Sequence, residues 1–370
     1  MQKRPFGQTG LQTSLLGFGG FHLLEIEQTA AAKLLNRYLD AGGNYIETAA
    51  SYGNGESERK IGAAVSHRRA EYILATKSGD RDKAGFLASL DRSLANLRTD
   101  HVDLVIMHAV ATLTDLQTIL APGGAMEGFL DARTAGKARF VGISMHGQPD
   151  VLIAALKAWP FDAVMSTINY YDRFNFPEIW DELIPLANSR QTAVILMKPL
   201  ADGLLWHSPA AAFRYAFSQP VSVVVSGINT EQQLTDDLAL LDDFLPLDAA
   251  GEAEIYRTAP ELGDYVCRQC GQCLPCPEAI DIPLICRFEG YYDRQMRDGR
   301  VGNTADFALR DRLRFWFGNQ ERARTEYAAL PVKADRCTHC GLCNARCPYQ
   351  IDVMRKLAIA DYKLAGKGIY

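Results

Sequence analysis

At 370 residues, with 48% hydrophobic and 22% charged side chains, the chain has an ordinary globular composition and is long enough for one large domain and a smaller one. A net charge of −5 offers no basic surface to hold nucleic acid. No run of about 18 apolar residues is present to span a bilayer, and Met1-Gln2-Lys3-Arg4-Pro5-Phe6 leads into no apolar signal core, so neither a membrane partner nor secretion is expected.

Up to Leu247, short β-rich runs alternate with longer amphipathic stretches. The predicted strands are Leu15–Gly19, Asn44–Thr48, Ile73–Lys77, Val102–His108, Phe140–Ser144, Ala163–Asn169, Ala193–Lys198 and Ser222–Ser226. Helical patterns lie between them, among others at Thr29–Ala41, Phe86–Leu97, Met126–Ala135 and Pro177–Ala187. Eight β–α units over about 240 residues predict an α/β fold of the (β/α)8, or TIM-barrel, type over residues 1–250. No GxGxxG opens a helix, which removes the main signal for a Rossmann domain; Gly17-Phe18-Gly19-Gly20 reads as a tight strand exit.

Beyond Leu247 the pattern changes. Asp248–Gly263 reads as a closing helix and connector, and two cysteine runs follow. The first is Cys267-x2-Cys270-x2-Cys273-x2-Cys276-Pro277 and the second Cys337-x2-Cys340-x2-Cys343-x3-Cys347-Pro348. Three closely spaced thiolates converge on three irons of a cubane, and the proline turns the fourth cysteine away toward a second cluster. The expected sets are therefore Cys267, Cys270, Cys273 and Cys347 around one 4Fe–4S cluster, and Cys337, Cys340, Cys343 and Cys276 around the other. The first run is one residue shorter than the bacterial ferredoxin spacing. Structural zinc is the alternative, although zinc sites usually arrive as separated pairs. Residues 251–370 thus form a mainly α-helical, bacterial-ferredoxin-like module with a helical insertion, and thiolate clusters fit a reducing cytoplasm. Within the insertion, Arg310–Phe317 mixes charge with aromatics, as an amphipathic helix over the module or a surface for a redox partner. Cys286, outside both runs, reads as a buried apolar residue. Met354–Tyr370 reads as helical with a Gly-rich tail.

In such a barrel, catalytic groups stand at the C-terminal strand ends. The second predicted strand ends in Glu47-Thr48, followed by Ser51-Tyr52-Gly53; the third ends in Lys77 and the fourth in His108. Tyrosine is a poor acid at its free pKa of about 10. A lysine cation stabilises the phenolate, a carboxylate orients the lysine, and the imidazole positions a substrate carbonyl.

The chain here resembles the aldo-keto reductase superfamily, in particular its members with a C-terminal ferredoxin-like module. The resemblance is carried by Arg4–Leu11, Leu16–Gly20, Asn44–Gly53 with Glu56-Ser57-Glu58, Ala75-Thr76-Lys77, Met107-His108, Gly142-Ile143-Ser144, Lys198-Pro199-Leu200 and Ser226–Thr230. It implies Tyr52 as proton donor, Lys77 as its pKa-lowering partner, His108 as the substrate-orienting residue, and Glu47 where the family keeps an aspartate. It also implies a nicotinamide cofactor, NAD or NADP, contacted by Ser144, Asn169, Lys198, Ser226, Gly227 and Asn229. Several grip positions depart from the family: Met145 and His146 follow Ser144, Met165 replaces a glutamine, and Met197 replaces the stacking aromatic. No arginine for a 2′-phosphate follows Thr230, where the chain reads Glu231-Gln232-Gln233. His146 reads either as a further substrate or cofactor group at the mouth or as a satisfied structural histidine, and His22, Trp206 and His207 are placed there as lining.

The expected function is an oxidoreductase that interconverts a carbonyl and an alcohol at the barrel mouth. Its two 4Fe–4S clusters would pass electrons to or from a ferredoxin-like partner, or act as structural staples. The alternative is a nucleotide-binding, redox-sensing or regulatory subunit with no turnover of its own.

Overall fold

The computed structural model describes residues 1–296 and 318–366. A hairpin comes first, Lys3–Pro5 (β1) against Gln12–Ser14 (β2), which the sequence reading did not include. Arg4 fixes it by donating to the carbonyls of Phe217, Gln219 and Val221, and Phe6 is fully buried beside Tyr45, ring centroids 5.9 Å apart.

Eight parallel strands then close into a barrel: Leu16–Gly19 (β3), Tyr45–Glu47 (β4), Ile73–Ser78 (β5), Val102–Met107 (β6), Ala138–Ser144 (β7), Ala163–Thr167 (β8), Ala193–Met197 (β9) and Val223–Gly227 (β10). The ring closes where β10 pairs with both β9 and β3. All eight predicted strands are present; four end earlier at the mouth than expected, while β5 and β10 run one residue further. Thr48, His108, Asn169 and Lys198 lie beyond their strands; the Thr48 and His108 N–H groups still donate to the Ala75 and Ser78 carbonyls, and Lys198 has a left-handed φ of 60°. Side chains alternate across a strand, and the inward set of Tyr45, Ile73, Ala75, Leu104, Ile106, Ala163, Met165, Ala193, Ile195, Met197, Val223 and Val225 packs as one core with Phe6. This is the layered filling of a closed barrel, not a pore.

Helices fall between the strands as predicted, with shifted ends. Lys83–Leu97 starts a turn earlier than its hydrophobic pattern because Asp82 caps it by accepting from Gly85 N–H. Over Pro177–Ala187 the chain is not one regular helix: a π turn, Ile179–Leu183, precedes Ile184–Ser189. Pro185 has no N–H to complete an i→i−4 ladder, so the turn before it widens.

The chain forms two compact units. One holds the barrel strands: Met1–Ile168, Glu178–Pro199 and Ala216–Pro246. The other joins the cysteine region, from Leu247 on, with Asn169–Pro177 and Leu200–Tyr215, which follow β8 and β9 in the sequence. This second unit contains the helices Ala249–Thr258, Ile282–Asp293, Gln320–Ala328 and Val353–Leu364, and it holds buried ion pairs. Arg294 donates twice to Asp172, at 2.8 and 2.6 Å, with both side chains fully buried. The aromatic stretch Arg310–Phe317 lies outside the described residues. Among the described residues no helix is long and apolar enough to cross a membrane.

Candidate active site and cysteine module

The inward alternation that builds the core also builds the mouth. One step beyond Tyr45, Ala75, Ile106 and Met165 come Glu47, Lys77, His108 and Thr167. Lys77 is buried and donates to Glu47 Oε1, to the Thr48 carbonyl at 3.0 Å and to Tyr52 Oη at 3.1 Å. Its ammonium also lies 4.7 Å from the Tyr52 ring centroid. Tyr52 stands edge-on to His108, centroids 6.0 Å apart, and to Phe21 at 5.1 Å. Ser51 Oγ is 3.4 Å from His108 Nδ1. The four groups expected from the strand ends are thus brought together. The tight turn that follows Tyr52 is left-handed throughout: Gly53, Asn54 and Gly55 have φ of 57°, 49° and 80°. A Cβ on Gly55 would lie 2.4 Å from Asn96 Nδ2, so that glycine is required.

The electrostatics differ from the simple expectation for tyrosine. Burial raises the Tyr52 pKa and Glu47 adds to this, while Lys77 pulls it down without overcoming them; the phenol is held protonated. Burial works against the Lys77 cation, but Glu47 and Tyr52 outweigh it and keep the ammonium charged. Burial, with Lys77 and Arg81 nearby, pushes His108 down to about 3, so its imidazole is neutral. His146 is likewise held neutral, by burial first and then by Lys198, His108 and Lys77.

The remaining expected contacts are arranged less simply. Ser144 Oγ accepts from Ala109 N–H at 3.1 Å and donates to the Met107 carbonyl at 3.4 Å, pinning the chain after His108. Met165 and Met197 sit in the barrel core. Thr167 Oγ1 is buried and, among the described residues, has no hydrogen-bond partner. Ser226 Oγ donates to Asp237 at 2.7 Å, and burial pushes that carboxyl up to about 6. Gly227 lies under His22, whose ring would meet a Cβ at 2.3 Å. In the loop before Glu231–Ala239, Gln233 Oε1 already accepts from Asn229 and Thr230 N–H, and Asn229 donates to Glu25. Asn169 belongs to the second unit, where its amide caps the Asp172 turn. Trp206 and His207 also belong to that unit.

The two cysteine runs are built alike. Gln269 and Gly271 in the first, and His339 and Gly341 in the second, have left-handed φ of 53°, 73°, 56° and 80°. After each Cys-Pro come another left-handed residue (Ala279, Gln350), an isoleucine (Ile280, Ile351) and an aspartate (Asp281, Asp352) that caps a helix, Ile282–Asp293 or Val353–Leu364. One cavity is lined by Cys267, Cys270, Cys273 and Cys347 with Ile282, Ile351 and Val353. The other is lined by Cys337, Cys340, Cys343 and Cys276 with Leu342, Met354 and Leu357; Cys273 also borders it. Among the described residues no three His, Cys, Asp or Glu side chains gather as ligands of a single ion. Four thiols spread around an apolar hollow suit a polynuclear cluster. The free Cys273 thiol is pushed up to about 12 by burial, a penalty that iron relieves because a coordinating thiol is deprotonated.

Residues 15–210 match the family model described as "Aldo/keto reductase family", which covers more than half of the chain. The chain belongs to the aldo/keto reductase family. It is an oxidoreductase of that family, and its residues 266–352 match the family described as "4Fe-4S dicluster domain". An uncharacterized oxidoreductase, YqkF, of Bacillus subtilis is 30% identical over 221 residues, which are 56% of this chain and 68% of the relative. A probable voltage-gated potassium channel subunit beta of Oryza sativa subsp. japonica is 27% identical over 55% of this chain and 66% of its own length. The solved aldo-keto reductase AKR11C1 from Bacillus halodurans (holo form) superposes with a TM-score of 0.61 at 28% identity, covering 70% of this chain and 96% of that one.

Sequence reasoning did not single out Ser51, Phe21 or Thr167 at the mouth of this reductase barrel, nor the charges beside the cysteine cavities. Strand alternation would have found Thr167, two residues past Met165. The internal repeat Cys-Pro-x-x-Ile-Asp, at Cys276 and Cys347, was also legible.

Proposed function

We propose that the barrel mouth reduces a small-molecule carbonyl to an alcohol, or runs the reverse, with a nicotinamide dinucleotide, and that the cysteine module holds two 4Fe–4S clusters that exchange electrons with a ferredoxin-like protein. The observation that carries the first part is the buried Glu47–Lys77–Tyr52 chain with a neutral His108 beside it. The orphaned Thr167 hydroxyl fits the polar edge of a carboxamide, and Ser144 and Lys198 would hold the cofactor beside it. A reduced nicotinamide, when bound, supplies a hydride to the carbonyl carbon. Tyr52 Oη–H gives its proton to the carbonyl oxygen as charge develops there. Lys77, fixed by Glu47, stabilises the resulting phenolate through its N–H to Oη. With Ser51 at Nδ1, His108 keeps Nε2 for the substrate oxygen, and neutrality lets it orient that oxygen without placing a second cation beside Lys77. Glu47 reaches Lys77 despite being one methylene longer than the family's aspartate.

The cysteine cavities support the crossed ligand sets, Cys267, Cys270, Cys273 and Cys347 for one cluster and Cys337, Cys340, Cys343 and Cys276 for the other. Oxidation of the reduced nicotinamide by the module would give the oxidised nicotinamide and a proton, with one electron passing to each of the two clusters. A regulatory reading draws on the methionines at the expected grip positions and on the channel-subunit relative. The complete proton-transfer set favours turnover. Tyr52→Phe removes the donated proton while keeping the ring packed against Phe21 and His108. We expect kcat/KM for carbonyl reduction to fall by about 10²-fold or more, with the fold and iron content unchanged. Unchanged turnover would remove Tyr52 from this role.

A further inference from the structure

The two cysteine cavities share one backbone plan, and they differ in charge. One residue after the first cysteine of each run stands Arg268 in one and Thr338 in the other. Nine residues after the fourth cysteine stand Ile285 and Lys356, and ten residues after it Cys286 and Leu357. Lys356, Arg268 and Cys286 all line the cavity of Cys267, Cys270, Cys273 and Cys347. Among the described residues, the lining of the cavity of Cys337, Cys340, Cys343 and Cys276 includes no cation, and its one ionisable side chain besides cysteine is Glu278.

The two cations are built in, not adventitious. Arg268 is 8% exposed, and its guanidinium donates to the carbonyls of Tyr256, Leu262, Gly263 and Val266 and lies 4.7 Å from the Tyr349 ring centroid. Those partners are dipoles, so among the described residues its charge is not cancelled by an ion pair. Lys356 is 1% exposed. Its ammonium is 2.7 Å from Glu289 Oε2 and 3.6 Å from the Tyr265 ring centroid. Its contact with Glu289 is a buried ion pair, and the same side chain lines the cysteine cavity. Glu289 is shared with Lys363, which also pairs with Asp293 at 2.9 Å. Burial works to raise the Glu289 pKa, but Lys356 and Lys363 hold it down at about 2, so the group stays ionised. Cys286 adds a thiol that interacts with Cys267. Glu278, by contrast, is partly exposed and 3.9 Å from the exposed Arg336, so solvent weakens the field it sets up in the cavity it lines.

We propose that Arg268 and Lys356 give the cluster held by Cys267, Cys270, Cys273 and Cys347 the higher reduction potential, so that a single electron on the module rests there. A thiolate-bound cubane is one charge more negative when reduced. Buried cations and N–H donors stabilise that form, and potential follows local charge and hydrogen bonding to sulfur. The electron exchange is one for one: the cluster at Cys337, Cys340, Cys343 and Cys276 is oxidised as the other is reduced, with no bond made and no proton moved.

The proposal rests on the two-cluster reading, and the test separates them. The full chain, isolated without oxygen, is assayed for iron and sulfide and then titrated with dithionite while its EPR signals are followed. We expect about eight irons per chain and two distinct midpoint potentials. Lys356→Met should lower the higher potential and leave the lower one in place. Glu278→Gln, a change at a partly exposed side chain that does not threaten folding, should raise the lower potential and leave the higher. Two loaded clusters with coincident potentials, or a Lys356→Met shift confined to the lower potential or absent, overturns the field assignment while the ligand reading stands. If Lys356→Met does not assemble, Arg268→Gln decides: a higher potential left in place, or a shift confined to the lower one, overturns the proposal. Four irons or fewer in the wild type overturns the ligand reading and the proposal with it.

Discussion

Tyr52, Lys77 and His108 are held in single charge states by the same burial that hides them, and this sets how the site answers to pH. The folded pKa of His108 is about 3, against about 6.5 for a free imidazole. Below about 6.5 the unfolded chain therefore binds a proton that the folded chain refuses. Stability from this group is complete above that pH and is lost progressively as pH falls toward 3. Tyr52 is displaced upward, so its donated proton persists beyond the ordinary tyrosine range. The expected outcome is a kcat/KM for carbonyl reduction with no histidine limb between about pH 5 and pH 8, measured under saturating cofactor. A transition near 6.5 that vanishes in His108→Gln would show a charged imidazole and contradict this reading. The identities of these residues were legible in the sequence because polar groups at strand ends of a barrel converge on one face. The sign of the Tyr52 shift was not, because it depends on how completely Phe21 and the strands remove water from the phenol.

The elements were read from periodicity, and their limits were decided by single side chains. Asp82 adds a turn to one helix, Pro185 opens another, and the left-handed Lys198 ends β9. Long-range ion pairs were invisible to any local pattern. Arg294 closes the helix Ile282–Asp293 in a left-handed conformation, φ 61°, and its guanidinium is matched by an aspartate 122 residues earlier in the chain. In sequence both look like ordinary solvated charges. Breaking a buried pair from one side leaves an uncompensated charge, which costs about 3–5 kcal/mol. Asp172→Ala should thus lower the stability of the cysteine-bearing unit by that order, read by denaturant unfolding of the cluster-loaded protein. A loss below about 1 kcal/mol would place the pair among those worth little.

At the scale of the molecule, the chain carries an aldo/keto reductase barrel and a 4Fe-4S dicluster domain. The barrel was legible as eight β–α units, and the module as eight cysteines in two runs ending in Cys-Pro. The linear pattern did not show that Asn169–Pro177 and Leu200–Tyr215, which follow two barrel strands, fold into the cysteine-bearing unit. Membership of a unit is decided by packing partners such as Asp172 with Arg294, and no window of sequence contains both. The nicotinamide grip is the least familial part of the site, since Met165 and Met197 fill the core where polar or aromatic contacts were expected. The most direct measurement is an anaerobic titration of the cluster-loaded protein with NADH and then NADPH, following nicotinamide oxidation and cluster absorbance together. The account predicts that one of the two binds and that the clusters bleach as it is consumed. Binding of neither nucleotide, or oxidation with the clusters unchanged, would contradict it.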